Sequence, residues 1–311
     1  MARPEYVEVQ CKSAINRVHG MPFNWSLNPY VGCAHRCHYC YARAFYVKAD
    51  HGNGREDFDT RILVKTNLPD VLRRELARPS WAGESVAMGT ATDVYQPAEG
   101  RFRVTRRVLE VFTAARNPIG MITKSPMVYR DIDVLTDLAR NASVRVLFTI
   151  TTIDGDLART IEPGTAHPRK RLQVMRALND AGIPAGILLA PILPGVTDSA
   201  QSIESVAREA VAHGAQFFGY SALRLGPVVR EHYLDMVDRE FPELKPRYER
   251  AYVGRDAPAE YTRRLAERVE AIRDRHGLAE SLARGPSSPR PPHVAVRPLP
   301  TRPSPQLALP L

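Results

Sequence analysis

Three cysteines stand in the run Asn28-Pro-Tyr-Val-Gly-Cys33-Ala-His-Arg-Cys37-His-Tyr-Cys40-Tyr41, with the spacing C-x3-C-x2-C. Three thiolates from one short loop can hold a metal centre but cannot complete it, because a tetrahedral ion or a four-iron cubane takes four ligands. Cys11, His35 or His38 offers a fourth ligand for a closed zinc site. Structural zinc sites, however, draw on two C-x2-C-like knuckles, and the second is missing here. The bacterial ferredoxin run carries a fourth cysteine followed by proline, which this chain lacks. What remains is a [4Fe–4S] cluster held by Cys33, Cys37 and Cys40, with one iron open to another molecule.

The elements that position this loop follow from the rest of the chain. Its 311 residues are 44% hydrophobic, enough for one large α/β domain or two small ones. No run of eighteen apolar residues suggests a membrane span, and the first residues lead into no apolar signal segment. Four cysteines, three of them clustered, do not read as a disulfide framework, so a reducing, cytoplasmic setting is expected. The net charge of +9 raises nucleic acid as a partner. Residues 284–311 weaken that reading: they carry four arginines and no acid, and a solvated basic surface explains the rest.

Apolar β-type runs alternate with amphipathic helical patterns. Strands are expected at Asn24–Tyr30, Ile62–Lys65, Ser85–Gly89, Ile119–Thr123, Val144–Thr151, Ile183–Leu189 and Phe217–Ser221. Helices are expected at Pro69–Arg78, Val104–Ala115, Ile132–Arg140, Arg169–Ala181, Ser202–His213 and Val228–Glu240. Gly182 and Gly214 stand just past two of them, where helices stop. Residues 1–23 read as polar and irregular, and Arg43–Asp59 as a loop. The alternation means βαβ units and a parallel sheet, either a partial (β/α) barrel or a doubly wound sheet. Both folds gather their sites at the carboxyl ends of the strands. Thr90, Thr92, Asp93, Lys124, Ser125, Thr151, Thr152, Asp154, Pro191 and Arg224 fall there. Four segments are expected: 1–23, the α/β unit 24–242, a helical extension 243–283, and a disordered tail 284–311 with nine prolines. In the extension Tyr261, Leu265, Val269 and Ile272 share one helix face.

The cysteine loop after a first strand, together with Thr92-Asp93, Thr123-Lys124, Ile161-Glu-Pro-Gly-Thr165 and Ala190-Pro-Ile-Leu-Pro-Gly195 in order, resembles the radical S-adenosylmethionine enzymes. Within them it is similar to the spore photoproduct lyase-like, DNA repair photolyase-like branch, over about residues 24–240. The resemblance implies a partial (β/α)6 TIM-like barrel with a C-terminal helical extension. It also implies S-adenosylmethionine bound at the open iron, cleaved by one electron to a 5′-deoxyadenosyl radical. The electron would come from a donor such as flavodoxin or ferredoxin.

By the same resemblance Cys33, Cys37 and Cys40 are the cluster ligands, and Tyr39 lies near the adenine. Thr90 and Thr92 meet the methionyl amino group, and Lys124 pairs with the methionyl carboxylate. Thr149 and Thr151 hold the ribose, Ile192 to Gly195 pack on the adenine, and Tyr41 belongs to a hydrogen-return path. Glu162 and Arg171 flank a loop at the barrel mouth and read as an ordinary surface ion pair. One departure stands out. The family's lyases carry a hydrogen-donor cysteine on the second-strand motif, and here Ala87-Met-Gly-Thr-Ala-Thr-Asp93 has none. The substrate is therefore left open, with nucleic acid as one class. The alternative reading is a zinc-stabilised nucleic-acid-binding protein.

Overall fold

The computed structural model describes residues 3–278. These residues form ten strands: β1 (Glu5–Val9), β2 (Asn16–Arg17), β3 (Trp25–Leu27), β4 (Tyr30–Val31), β5 (Arg61–Lys65), β6 (Val86–Met88), β7 (Ile119–Thr123), β8 (Val144–Thr149), β9 (Ala185–Ile192) and β10 (Phe218–Ala222). One sheet has the order β10-β9-β8-β7-β6-β3-β2. Its first six strands are mutually parallel, and β2 adds antiparallel at the β3 edge. The order never reverses. Every crossover steps the same way, so right-handed connections put the helices on one face and the sheet curls as a partial barrel. A doubly wound sheet would reverse its order part-way. The architecture is a partial (β/α)6 barrel.

Helix Pro227–Glu240 follows the last strand, and the connecting helices include Val104–Ala115, Ile132–Asn141, Pro168–Asp180 and Ala200–Ala212. Their amphipathic stripes meet alternate strand residues. Ile119, Met121, Val144, Val146, Ile187 and Leu189 are buried in the main core with Leu109, Phe112, Leu135, Leu138 and Met175. Beyond the barrel come a 3-10 turn at Pro242–Leu244 and helices Lys245–Ala251 and Ala259–Arg275. Leu265, Val269 and Ile272 join the main core, as their helical spacing requires. No helix among the described residues is long and apolar enough to cross a membrane. The proline-rich tail 284–311 lies outside the described residues.

Three expectations need correcting. Residues 1–23 are not irregular: β1 pairs in parallel with β5, Tyr6 opposite Ile62. Its partner is over fifty residues away in sequence, so no local pattern announces it. The segment expected at Asn24–Tyr30 splits. Trp25–Leu27 enters the barrel as β3, while Tyr30–Val31 pairs antiparallel with β5 in a separate sheet ordered β1-β5-β4. Pro29, with no N–H to give a ladder, stands at the break. The run Ile62–Lys65 is thus the centre of the small sheet rather than a barrel strand. Finally, Arg43–Asp59 is not a plain loop. It holds helices Ala42–Lys48 and Asp57–Thr60, folded around the fully buried Arg43.

Gly89, at the carboxyl end of β6, has φ +83°, and a Cβ there would stand 2.3 Å from the Ile122 carbonyl oxygen. Gly83 has φ +71° with open space around it. Gly89→Ala is expected to lower stability by well over ~1 kcal/mol, and Gly83→Ala by about 1 kcal/mol. Urea unfolding of both variants checks this; equal losses would mean the close approach to β7 is no constraint.

Candidate active site

The cysteine loop hangs between β4 and helix Ala42–Lys48, tied by its backbone on several sides. The Cys33 N–H donates to the Phe58 carbonyl at 2.8 Å and the His38 N–H to the Ile161 carbonyl at 3.1 Å. Gln96, fully buried, accepts from the Ala34 N–H at 3.0 Å and donates to the Gly32 carbonyl at 3.0 Å. Arg43 donates to the Cys37 carbonyl at 3.2 Å and to both oxygens of Asp59 at 2.9 and 2.8 Å. These bonds leave the thiols to converge. The charges of Cys33, Cys37 and Cys40 act on one another, and all three are free. Burial pushes the Cys37 thiol well up, with Lys124 opposing; burial also raises Cys40, with Arg43 and Lys124 opposing. Metal binding must therefore displace protons from these thiols, which the neighbouring cations favour.

Behind the loop lies a buried ionic group. Arg171 and Glu162 form an ion pair at 2.8 Å with both side chains fully buried. This overturns the surface-pair expectation: Glu162 ends helix Gly155–Ile161 and Arg171 opens helix Pro168–Asp180, and the turn between them folds inward. Arg171 also donates to the carbonyls of Thr149 and Ala166, each at 2.9 Å. Glu162 accepts from the Tyr39 hydroxyl and, at 3.1 Å, from the Thr151 hydroxyl. Burial works against the carboxylate, but Arg171 and Lys124 outweigh it and hold Glu162 below its usual pKa. Tyr39 is pushed well above the usual phenol value by burial and by Glu162, so it stays a donor. The Lys124 ammonium sits 5.7 Å from the Tyr39 ring centroid, a cation–π contact. Burial disfavours its charge, yet Cys37 and Glu162 raise its pKa overall. The structure thus brings Cys37, Cys40, Tyr39, Lys124, Thr149, Thr151 and Glu162 together.

The second-strand motif braces the loop from another side. Thr92 donates to the Gly32 carbonyl at 2.7 Å and accepts from Gln96 at 2.9 Å. Asp93 accepts from the Thr123 hydroxyl at 2.8 Å and the Lys124 N–H at 2.6 Å. Its other neighbour is buried His35, whose Nδ1 lies 3.3 Å from Asp93 Oδ2. Burial disfavours both charges, but each partner stabilises the other, bringing His35 up to about 10 and Asp93 down to about 2. Thr90 accepts from the Asn28 side chain at 3.1 Å, and its carbonyl accepts from the Tyr41 hydroxyl. Tyr41 is 48% exposed and meets Phe45 edge-on at 5.8 Å. Ile192 ends β9, fully buried, and Gly195 follows in the turn, its N–H donating to Asp198 at 2.9 Å. Sequence spacing gives no sign of Arg43, Gln96 or Asn28 as loop braces; each acts through backbone carbonyls or long-range partners.

The zinc alternative has no complete ligand set among the described residues. Cys11 follows β1, exchanging backbone hydrogen bonds with the Asn67 side chain at 2.9 Å and packing into the main core. His38 faces His232 at 3.2 Å, and His35, which meets Cys33, also has its Nδ1 3.3 Å from Asp93. Among the described residues, no group of three His, Cys, Asp or Glu is arranged to hold a single ion. A cubane fits better, since its thiolates bind three different irons. The buried Arg43 Nε, whose charge reaches Cys40, also has no partner among the described residues and suits an anionic sulfur centre.

A family model described as the radical SAM superfamily matches residues 27–209. The chain belongs to the radical SAM superfamily. This radical SAM enzyme is similar to Rv2578c of Mycobacterium tuberculosis, 36% identical over 291 residues, covering 92% of this chain and 84% of that protein. It is similar to MJ0683 of Methanocaldococcus jannaschii, 29% identical over 194 residues, covering 62% and 70%. In fold it is similar to spore photoproduct lyase complexed with a dinucleoside spore photoproduct: TM-score 0.65, 16% identity, covering 87% of this chain and 79% of that one. The cofactors of this radical SAM enzyme are a [4Fe–4S] cluster and S-adenosylmethionine.

Arg171→Met leaves the buried Glu162 carboxylate with Lys124 as its remaining counter-charge and is expected to cost roughly 3 kcal/mol. Pairing it with Glu162→Gln should recover most of that loss. Urea midpoints at constant slope test this; a double variant as unstable as the single one would show that the pair is not an ionic unit.

Proposed function

We propose that this radical SAM enzyme binds S-adenosylmethionine between the cysteine loop and the strand ends, and acts on a nucleic-acid substrate at the barrel mouth. Cys33, Cys37 and Cys40 hold the cluster. When bound, the reduced cluster supplies the electron that breaks the sulfonium bond and starts radical chemistry. The observation that carries the reading is the half-buried Lys124 ammonium, 5.7 Å from the Tyr39 ring centroid and beside the Glu162 carboxylate that favours its charge. It is placed to pair with the methionyl carboxylate, a charge-assisted bond. Thr90 meets the methionyl amino group. Thr92 borders the same group while its hydroxyl, donating to the Gly32 carbonyl, also braces the loop. Thr149 and Thr151 border the ribose, while Tyr39 and the segment from Ile192 to Gly195 border the adenine.

The substrate class rests on the solvent side of this site. Tyr41 and Phe45 are 48% and 54% exposed, and the charge of Arg224 reaches Tyr41. Exposed aromatics beside cations stack nucleobases and attract phosphates. No cysteine stands at Ala87–Asp93 to return hydrogen, and Cys11 lies beside a different sheet. Tyr41 takes that role. Its O–H hydrogen passes to a substrate carbon radical, making a C–H bond and leaving a tyrosyl radical. One electron from a ferredoxin- or flavodoxin-type donor, with a solvent proton, restores the phenol.

Anaerobically reconstituted protein with dithionite is expected to release 5′-deoxyadenosine from S-adenosylmethionine. Cys37→Ala should abolish this, Lys124→Ala should raise KM about tenfold or more, and Tyr41→Phe should spare it while slowing substrate turnover. A preparation with about four irons per chain that releases none, or one that holds a single zinc, contradicts the reading.

A further inference from the structure

The turn after β9 is held from outside the barrel. Within it, Leu193 and Thr197 close a tight bend, the Thr197 N–H donating to the Leu193 carbonyl at 2.9 Å and the Leu193 N–H to the Thr197 hydroxyl at 2.8 Å. The Pro194 carbonyl accepts from the Tyr248 hydroxyl at 2.6 Å, and Tyr248 shares a 2.9 Å hydrogen bond with Tyr233. Gly195 faces Leu244 so closely that a Cβ would stand 3.1 Å from its Cδ2. Asp198 accepts from the Gly195 N–H at 2.9 Å through one oxygen and from the Tyr261 hydroxyl at 3.1 Å through the other. The Asp198 carbonyl accepts from Arg268 at 2.5 Å.

Leu244, Tyr248, Tyr261 and Arg268 come from Pro242–Leu244, Lys245–Ala251 and Ala259–Arg275. All lie beyond residue 209, where the family match ends. A purely packing role for this extension calls for apolar contact, which Leu265, Val269 and Ile272 already supply. The hydroxyls and the guanidinium are aimed instead at the polar backbone and carboxylate of one six-residue turn. Each is specific in direction, and together they fix both limbs.

We propose that the C-terminal extension is a cofactor-positioning clamp: Tyr248 and Tyr261 set the Pro194–Asp198 turn, and through it Ile192, in the shape that receives the adenosyl part of S-adenosylmethionine. This rests on the reading that Ile192 to Gly195 border the adenine. An uncharged base is bound by shape and a few directed hydrogen bonds, so its affinity depends on how sharply the turn is held. Tyr248 and Tyr261 are positioning residues; they touch the turn, not the reacting atoms.

The test uses the reconstituted protein and S-adenosylhomocysteine, which binds without being cleaved. Wild type, Tyr248→Phe, Tyr261→Phe and, as a control from the same tyrosine group, Tyr252→Phe are compared. Tyr252 donates to the Leu223 carbonyl at 3.2 Å and makes no hydrogen bond to the turn. Binding is measured by calorimetry, and amide exchange is followed across residues 193–198. The clamp predicts faster exchange of the turn and binding about tenfold weaker in Tyr248→Phe and Tyr261→Phe, with KM raised and kcat nearly unchanged. Iron content and Tyr252→Phe binding should match wild type. Unchanged exchange in both variants overturns the clamp. If the ligand fails to protect the wild-type turn from exchange, the adenine-border reading fails and the clamp's role in cofactor binding falls with it.

Discussion

The buried ion pair between Glu162 and Arg171 is the constraint on which the site depends. Two charges with no exposure cannot be left half-satisfied, since a lone buried charge costs several kcal/mol. Satisfying them recruits the surroundings: the Tyr39 and Thr151 hydroxyls to the carboxylate, and the Thr149 and Ala166 carbonyls to the guanidinium. Tyr39 lies between two of the three loop cysteines, so the pair fixes the loop as well as the strand end. Lys124 then meets a place whose potential is set for it. Without Glu162, a cation facing Arg171 would be repelled.

A second buried pair, His35 with Asp93, works on the other limb of the loop. Asp93 collects the Thr123 hydroxyl and the Lys124 N–H, so one carboxylate registers the ends of β6 and β7 against the loop. With the Arg43–Asp59 ion pair, which holds the Cys37 carbonyl, the loop thus hangs from three ionic anchors and the amide of Gln96. Reactive chemistry needs such preorganisation, because a thiolate set that wanders cannot hold a cluster in one geometry. The exposed Tyr41 and Phe45 lie just past these anchors, on the helix the loop leads into, where a substrate can reach them.

Much of this was legible in the chain. Strands such as Ile119–Thr123 and helices such as Val104–Ala115 declare themselves, because local periodicity and a buried face coincide. The cysteine spacing points to the chemistry for the same reason: its meaning is local. What escaped was non-local. The small sheet pairs Tyr6 with Ile62 and Tyr30 with Val64, and no window of sequence contains such partners. Glu162 and Arg171 looked like surface residues because charge argues for exposure unless a partner is known. Arg43, between two alanines, gives no sign that its guanidinium would tie together the Cys37, Gly54 and Arg55 carbonyls and the Asp59 carboxylate.

The central claim is that the three-thiolate loop leaves one metal position for S-adenosylmethionine, with Lys124 holding the other end. Electron paramagnetic resonance of the reduced, reconstituted protein tests it most directly. Adding S-adenosylmethionine should change the g-values of the reduced cluster signal in wild type, and in Lys124→Ala should do so only at about tenfold or greater concentration. A cluster signal that S-adenosylmethionine leaves unchanged in wild type at saturating concentration would contradict the account.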